Sequence, residues 1–346
     1  MVHSLTIPKT TRAAVLRELG RPLTIEVLEI PQLKRGQVLV EVAFAGLCHT
    51  QVSQAKGLRG NDPYLPHLLG HEGSGRVLAT GEGVERVRTG DVVVLSWIKS
   101  RGLEAPGPIY CAQDGSPVNA GPIAVFSQYA IVSESCVTKL DSGISLSCAA
   151  LMGCAIPTGV GMVEHQLKPQ PGQTVGVFGV GGIGLSAVMA LVNAGCSQIV
   201  AIDVDPKKLD LALQLGATEG WLWGTRNIQN EFDVAIEASG KAEVIEAAFI
   251  ALKKHGKLMI SGNPPSGTRV SFDPFGFIFG KIVLGSAGGS CHMEEAVPSF
   301  CSRYREGKLP LEKMISKTYS LDEINIALDA LHRGEVVGRV LISFSE

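Results

Sequence analysis

A glycine-rich segment, Gly179–Gly184, is the feature of this 346-residue chain that most constrains its fold. It matches the pattern G-x-G-x-x-G, but a chain with 41 glycines gives that pattern many chances to arise. The flanking sequence is more specific, because a short apolar strand, Thr174–Phe178, precedes the motif and an apolar helix, Leu185–Ala194, follows it. This arrangement predicts a strand–turn–helix unit that binds a dinucleotide, rather than a turn that merely requires glycine.

Each position of the motif has a physical role in that prediction. Gly179 permits the tight turn, Gly181 lets a pyrophosphate approach the backbone, and Gly184 lets the helix pack closely on the sheet. Gly182 and Ile183 lie at the start of the helix, where unpaired N–H groups and the positive end of the helix dipole attract phosphate.

Asp203 ends the next predicted strand, 19 residues after Gly184. Its carboxylate is suited to accept hydrogen bonds from both hydroxyls of an adenosine ribose, and its charge would repel a 2′-phosphate. A helix cap is the alternative role, but Asp205 before Pro206 already supplies one. Lys208 is typical of a solvated helix face, although it could also reach the ribose. The sequence therefore favours NAD over NADP.

The organisation of the chain changes after about Pro157. Before it, short alternating or apolar runs broken by Gly and Pro predict an antiparallel, barrel-like domain with little helix. After it, strands alternate with helices, which predicts βαβ units and a parallel sheet. We therefore expect an α/β protein in which a β-rich catalytic domain, residues 1–156 and 297–346, is interrupted by a nucleotide-binding domain, residues 157–296.

Local signals give finer predictions within the nucleotide-binding part. Gly256 is expected to stop a helix over Lys241–Lys254, and Lys257–Ser261 is expected to be the next strand. Lys281–Leu284 is expected to be the last strand of the parallel sheet.

Composition excludes several classes of protein. Apolar residues make up 45% of the chain and charged residues 18%, which excludes a disordered chain. The net charge of −2, without a basic block, argues against nucleic acid as a partner. The apolar runs are too short to span a membrane and no signal peptide precedes Thr11, so we expect a cytoplasmic protein. The 8 cysteines are scattered, which indicates reduced thiols or metal ligands rather than disulfides.

Three residues of the types that zinc prefers lie beside glycines in predicted loops: Cys48, His71 and Cys154. Two thiolates and a neutral imidazole cancel the charge of Zn²⁺ and leave a fourth position for water or substrate, as catalytic sites do. Their spacing alone is weak support, since 23 and 83 residues separate the three. A cysteine that packs as a small hydrophobe and a histidine satisfied within the core remain the alternatives.

Motifs along essentially the whole chain resemble those of the zinc-dependent alcohol dehydrogenases of the medium-chain dehydrogenase/reductase superfamily. They are, in order, Gly46–Thr50, the sequence GHEGSG at 70–75, Gly90–Val93, Phe126–Tyr129, Gly153–Gly159, the glycine motif and Gly338–Arg339. The resemblance implies a GroES-like catalytic domain and a Rossmann coenzyme domain with the active-site cleft between them. It also implies NAD-linked interconversion of a small-molecule alcohol with its aldehyde or ketone. Lys281–Leu284 resembles the edge strand through which two coenzyme domains pair, which implies a homodimer or a homotetramer.

The resemblance assigns roles to individual residues. Cys48, His71 and Cys154 match the catalytic zinc ligands. Glu72 matches an acidic neighbour that ligates the metal transiently, and Thr50 matches the hydroxyl residue bonded to the substrate oxygen. Zinc lowers the pKa of a bound water from about 15.7 to about 7 and is expected to acidify a bound alcohol likewise. The proton then leaves through Thr50 while hydride passes to the nicotinamide.

Three further positions match the family, each with an open alternative. His49 and Arg339 match contacts to the coenzyme phosphates, and a solvent-facing charge is the alternative for either residue. Trp97 matches an aromatic residue that lines the substrate channel, where its bulk favours primary or slim secondary alcohols. The alternative for Trp97 is a core tryptophan.

The chain departs from the family in three ways. Trp97–Cys111 contains one cysteine, where many members have four that hold a structural zinc, so we expect one catalytic zinc per subunit and no structural zinc. Gln51 stands where the family has an aspartate bonded to the ligand histidine, which predicts weaker metal binding. Ser53 stands where the proton relay often ends in a histidine. Serine passes a proton but does not hold one near neutral pH, so water or another base is the expected acceptor.

Three other functions stay open at this point. Polyol dehydrogenases commonly have a carboxylate in place of one ligand cysteine, and Cys154 argues against that pattern. A zinc-free quinone or enoyl reductase has no reason to keep Cys48, His71, Glu72 and Cys154 together. A non-enzymatic NAD-binding protein would bind the coenzyme without transferring hydride.

Overall fold

The computed structural model describes residues 7–141 and 143–344. Residues 1–6, which belong both to the predicted catalytic domain and to the segment searched for a signal peptide, lie outside the described residues, as do Ser142 and residues 345–346. Among the described residues, no helix has the length and apolar character needed to cross a bilayer.

The N-terminal part of the chain is mostly β-structure, with three short helices. Its strands are β1 (Thr10–Leu16), β2 (Thr24–Glu29), β3 (Gln37–Gly46), β4 (His67–Leu68), β5 (Glu72–Thr80), β6 (Val92–Ser96), β7 (Ile109–Ala112), β8 (Pro117–Asn119), β9 (Tyr129–Ser133) and β10 (Val137–Lys139). Its helices are α1 (His49–Ala55), α2 (Leu146–Leu151) and α3 (Ala155–Gly161). The sequence analysis did not predict α1, because seven residues are too few to show a helical period.

The middle of the chain forms a six-stranded sheet in which every pair of neighbours is parallel. Its elements are β11 (Thr174–Phe178), α4 (Gly182–Asn193), β12 (Gln198–Asp203), α5 (Pro206–Gln214), β13 (Glu219–Leu222), β14 (Phe232–Glu237), α6 (Ala242–Ile250), β15 (Leu252–Ile260), α7 (Pro274–Ile278) and β16 (Ile282–Gly285). The strand order is β13-β12-β11-β14-β15-β16. This is the Rossmann-like parallel sheet that the sequence predicted.

One element boundary in this sheet differs from the prediction. The helix expected over Lys241–Lys254 ends at Ile250, and β15 begins at Leu252 rather than Lys257. Leu252 is fully buried and pairs with Phe232 of β14. Pairing and burial of this residue draw the chain into the sheet before Gly256, so tertiary contacts override the local helix signal.

The C-terminal part returns to the β-structure of the N-terminal part and consists of α8 (Met293–Arg305), β17 (Ile315–Ser320), α9 (Ile324–His332) and β18 (Arg339–Ser343). β1, β2, β7, β8 and β4 close a small barrel, and the second sheet has the order β10-β6-β5-β3-β18-β17, with β9 also paired to β3. Leu341 of β18 lies opposite Gly46 of β3, directly before the loop that carries Cys48. The residues at which the two domains divide stay a prediction.

Candidate active site

Four side chains with metal-ligating atoms converge at one place in the fold. Cys48 precedes α1, His71 and Glu72 lie at the start of β5, and Cys154 precedes α3. Their ligand atoms all lie within 4.8 Å of one another, and no other such group of three or more is found in the described part of the chain. The fold therefore brings together the residues that the sequence places 23 and 83 positions apart.

The thiols of Cys48 and Cys154 have pKa values shifted in opposite directions. A hydrogen bond from the Cys154 thiol lowers the pKa of Cys48 well below its ordinary value, and a hydrogen bond from His71 adds to this effect. The same bond, together with burial, raises the pKa of Cys154 well above its ordinary value. The hydrogen bond between the two sulfurs therefore favours the thiolate at Cys48, and a divalent cation bound by both cysteines would displace the proton between them.

The imidazole of His71 faces the thiols with one nitrogen and Gln51 with the other. Its Nε2 lies 3.3 Å from Sγ of Cys154, and its Nδ1 lies 2.5 Å from Nε2 of Gln51. Coordination through Nε2 requires the proton on Nδ1, which needs an acceptor. The amide of Gln51 must then turn its oxygen towards His71, because an amide nitrogen cannot accept that proton.

Glu72 is fully buried and is joined to Arg339, which donates from Nη2 to Oε1 of the carboxylate. Burial raises the pKa of Glu72, and the charge of Arg339 opposes that shift. The second oxygen, Oε2, is buried without a hydrogen-bond partner. A divalent cation would give this unpartnered oxygen a partner. Together with two cysteine sulfurs and an imidazole nitrogen, it forms a set of ligands that fits zinc.

The glycine motif adopts the geometry that its sequence predicts. Gly179 has a φ of 87°, a conformation that other residues rarely adopt. A Cβ added at Gly184 would lie 2.1 Å from the carbonyl oxygen of Gly179, whereas a Cβ at Gly181 would meet nothing within 4 Å. The motif thus combines a tight turn and close packing of α4 with open space at the position predicted to face a pyrophosphate.

Asp203 ends β12 beside this motif. Its Oδ2 accepts a hydrogen bond from the backbone N–H of Val180 at 2.9 Å, and its Oδ1 accepts one from the N–H of Asp205 at 3.2 Å. Asp205 caps α5 by accepting from the N–H of Lys207 at 2.9 Å. The structure therefore gives the capping role to Asp205 and leaves Asp203 at the edge of the glycine loop.

One basic side chain, Arg339, lies against the start of α4, and two others, His49 and Lys208, are close enough to interact electrostatically with each other. Arg339 lies against Gly182, since a Cβ added there would be 2.5 Å from Cδ of the arginine. His49 is exposed, but the protein around its ring desolvates it and lowers its pKa. The charges of Arg339 and Lys208 act in the same direction, and the charge of Cys48 opposes them. An anion bound at the helix terminus would lie beside Arg339.

The three remaining predicted site residues differ in their contacts and burial: Trp97, Thr50 and Ser53. Trp97 is 39% exposed, which argues against a core tryptophan, and its Nε1 donates to Sγ of Cys154 at 3.3 Å. Thr50 accepts a hydrogen bond from Nδ2 of Asn263 at 3.4 Å. Ser53 is half-buried on α1, one helical turn after Thr50.

Two further residues, Asn263 and Glu134, were not identified from the sequence. Asn263 follows β15, and a polar residue at the carboxyl edge of a parallel strand is the signal that could have identified it. Glu134 accepts backbone hydrogen bonds from Glu85, Arg86 and Leu103, each at 2.7 Å. Its buried carboxylate joins the loop between β6 and β7, through Leu103, to the loop between β5 and β6, through Glu85 and Arg86, and nothing in the sequence marks it for that role.

Comparison with known proteins supports the same interpretation. The alcohol dehydrogenase GroES-like domain matches residues 34–142, and the zinc-binding dehydrogenase domain matches residues 182–303. S-(hydroxymethyl)glutathione dehydrogenase of Escherichia coli O139:H28 is 32% identical over an alignment of 375 residues that covers 96% of this chain and 99% of that protein.

Two solved structures superpose over almost their full length. An alcohol dehydrogenase zinc-binding domain protein from Burkholderia ambifaria has a TM-score of 0.90 at 28% identity, covering 97% of this chain and 99% of its own. Benzyl alcohol dehydrogenase from Acinetobacter calcoaceticus has a TM-score of 0.87 at 29% identity, covering 98% of this chain and 100% of its own.

Proposed function

Because the chain belongs to the zinc-type alcohol dehydrogenases of the medium-chain dehydrogenase/reductase superfamily, oxidoreductases that act on CH–OH groups, we propose that it uses one Zn²⁺ and NAD to interconvert a small-molecule alcohol with its aldehyde or ketone. The observation that carries the proposal is the convergence of Cys48, His71, Glu72 and Cys154 within 4.8 Å, beside the glycine motif of the second domain. The named relatives favour neither a zinc-free reductase nor a non-enzymatic role.

The metal would be held by Cys48, His71 and Cys154, with Glu72 as the nearby fourth donor. When bound, zinc supplies a Lewis acid that polarises the oxygen of the alcohol or carbonyl. Thr50 offers its hydroxyl to the substrate oxygen, and Ser53 is the next hydroxyl along α1 on the way to solvent. Because serine does not retain a proton near neutral pH, water or another base accepts it.

The coenzyme would lie across the glycine motif. Its pyrophosphate would meet the N-terminus of α4 together with His49, Lys208 and Arg339, and Asp203 would bond the adenosine ribose. Since Arg339 also donates to Glu72, one guanidinium connects the phosphate site with the metal-ligating cluster. Arg339 would thus contact both the coenzyme phosphates and Glu72, the acidic neighbour of the metal.

A homodimer is the second part of the proposal, with a homotetramer as the larger alternative. β16 is the edge strand of the parallel sheet and exposes Ile282, and the adjoining segment exposes Phe275 and Ile278 at 63% and 72%. Pairing of two β16 strands would cover this apolar edge. Ile282→Lys should therefore produce monomers in light scattering after size exclusion, and an unchanged assembly would argue against this edge.

The function is tested with a panel of primary and secondary alcohols and their carbonyl products, assayed with NAD or NADH before and after removal of metal. We expect activity that is lost on metal removal and restored by one equivalent of zinc. Cys154→Ser should lose both metal and activity, while Cys136→Ser, a buried cysteine outside the metal-ligating cluster, serves as the matched control. Undiminished turnover by the metal-stripped protein would refute the proposal.

A further inference from the structure

The indole of Trp97 donates a hydrogen bond to one of the proposed zinc ligands. Its Nε1 lies 3.3 Å from Sγ of Cys154, which is buried. Among residues 7–141 and 143–344, Trp97 is the one side chain outside the metal-ligating cluster that donates to the sulfur of Cys48 or Cys154. The indole N–H is a donor only, so the sulfur is the acceptor in this bond.

Contacts on three sides fix the position of this indole. The hydroxyl of Ser96 donates to the carbonyl oxygen of Gly153 at 2.7 Å, which ties the end of β6 to the residue before the ligand cysteine. The backbone N–H of Trp97 donates to the carbonyl oxygen of His71 at 3.1 Å, and the two rings meet edge to face with their centroids 6.4 Å apart. On another side the ring lies against Gly288, where an added Cβ would be 3.4 Å from the indole. The surrounding fold therefore directs the donor towards the ligand sulfur.

A hydrogen bond to a thiolate reduces the electron density that its sulfur donates to a bound metal ion. With less charge donated by the sulfur, zinc is a stronger Lewis acid. Gln51 acts on His71 in the same direction, because a neutral amide polarises the imidazole less than a carboxylate does. A phenylalanine in place of Trp97 would supply an aromatic ring without a donor.

Building on the proposed function, we propose that Trp97 is a positioning residue that acts through Cys154: its N–H withdraws charge from this ligand sulfur and thereby raises the Lewis acidity of the zinc. This role differs from lining a substrate channel, which requires the bulk of an aromatic ring and no N–H. The two roles are separable, because the N–H can be removed while the bicyclic ring is kept.

The experiment replaces tryptophan with benzothienylalanine, the analogue in which sulfur takes the place of the indole N–H. The chain has 3 tryptophans, so the same replacement in a Trp97→Phe protein, where it reaches only Trp221 and Trp223, is the matched control. Each protein is loaded with Co²⁺ instead of zinc. The sulfur-to-cobalt charge-transfer band reports the charge donated by the thiolates, and the d–d bands report the coordination geometry.

We expect loss of the N–H to move the charge-transfer band to longer wavelength and to leave the d–d bands in place, because the sulfur then holds its electrons less tightly. Trp97→Phe should cause the same shift, and the analogue should add nothing to it in that background. With zinc bound, kcat for reduction of acetaldehyde by NADH should fall by about tenfold in the benzothienylalanine protein, while KM changes little. An unchanged kcat would contradict the inference.

An unchanged charge-transfer band in the benzothienylalanine protein would overturn the inference and leave the proposed function intact. Displaced d–d bands would also overturn it, since Trp97 would then hold the geometry of the site and not the charge on Cys154. If the unaltered protein binds no Co²⁺, the proposed function fails, and the role of Trp97 fails with it. If the benzothienylalanine protein does not fold, the charge-transfer band of Trp97→Phe decides: a shift to longer wavelength with unchanged d–d bands supports the inference, and no shift refutes it.

Discussion

Gln51 lies between His71 and the backbone of Cys48, with Nε2 2.5 Å from Nδ1 of the imidazole and Oε1 3.2 Å from the backbone nitrogen. When His71 carries its proton on Nδ1, the single amide oxygen of Gln51 can accept a hydrogen bond from Nδ1 or from the backbone N–H of Cys48, but not from both. The metal-binding tautomer therefore requires the amide to give up its bond with Cys48. A carboxylate has two acceptor oxygens and avoids this conflict.

Gln51→Asp should therefore strengthen zinc binding, by about 10–100-fold if the full effect of such a hydrogen-bond partner is recovered. The affinity is measured by competition with a chromogenic chelator. Gln51→Asn has the length of aspartate without its charge and is the control. Equal zinc affinity in the two variants would mean that side-chain length, and not the second acceptor oxygen, governs the site.

Asp203→Asn should reduce the preference for NAD over NADP. The amide oxygen can still accept from the N–H of Val180, so the loop is retained while the negative charge that repels a 2′-phosphate is lost. We expect the ratio of kcat/KM for NAD to that for NADP to fall by about tenfold. Equal or better efficiency of the unaltered enzyme with NADP would contradict the role given to Asp203.

Ser53→His should change the pH dependence of kcat for alcohol oxidation. An imidazole holds a proton near neutral pH, whereas a hydroxyl does not, so the variant gains a titrating group on the proposed path. We expect a new ionisation between about pH 6 and about pH 7 in the profile of kcat. An identical profile in both proteins would place Ser53 off the path.

Metal analysis should give one zinc per chain. Glu134 accepts a backbone hydrogen bond from Leu103 in the loop between β6 and β7, and two more from Glu85 and Arg86 in the loop before β6, so a protein side chain anchors the β6–β7 loop. Cys111 lies on β7, outside the metal-ligating cluster. Cys111→Ser should thus leave the zinc content unchanged, whereas Cys48→Ser should lower it. Two zinc ions per chain would contradict this expectation.

Glu237→Gln should make stability less dependent on pH. Glu237 ends β14, is fully buried, and accepts from the backbone N–H groups of Ser239 and Gly240 at 2.7 and 2.8 Å. Burial raises its pKa above the ordinary value of 4.5. The associated stability is present below that value and is lost as pH rises through the folded-state pKa. Glutamine keeps one acceptor oxygen and does not ionise. The difference in Tm between the variant and the unaltered protein should therefore shift in favour of the variant as pH rises from acidic to neutral. A constant difference in Tm would contradict this linkage.

The sequence allowed more of the coenzyme domain to be predicted than of the catalytic domain. Thr174–Phe178 was predicted with the bounds that the structure gives, because a buried parallel strand is a short apolar run between turn signals. The end of α6 was predicted four residues too late, since the burial of Leu252 against β14 is a contact between distant segments. The short helix α1 has no period long enough to detect, although it carries Gln51 and Thr50.

By itself, the sequence determined the features that depend on neighbouring residues: the strand–glycine–helix unit, the capping of α5 by Asp205 and the alternation of strands and helices. It also contained the ligand types at Cys48, His71 and Cys154. Only the tertiary structure decided that these three meet Glu72 within 4.8 Å and that Arg339 connects Glu72 with the start of α4. The physical reason is that local backbone preferences act over a few residues, whereas proximity between residues 48, 72, 154 and 339 arises from packing of the whole chain.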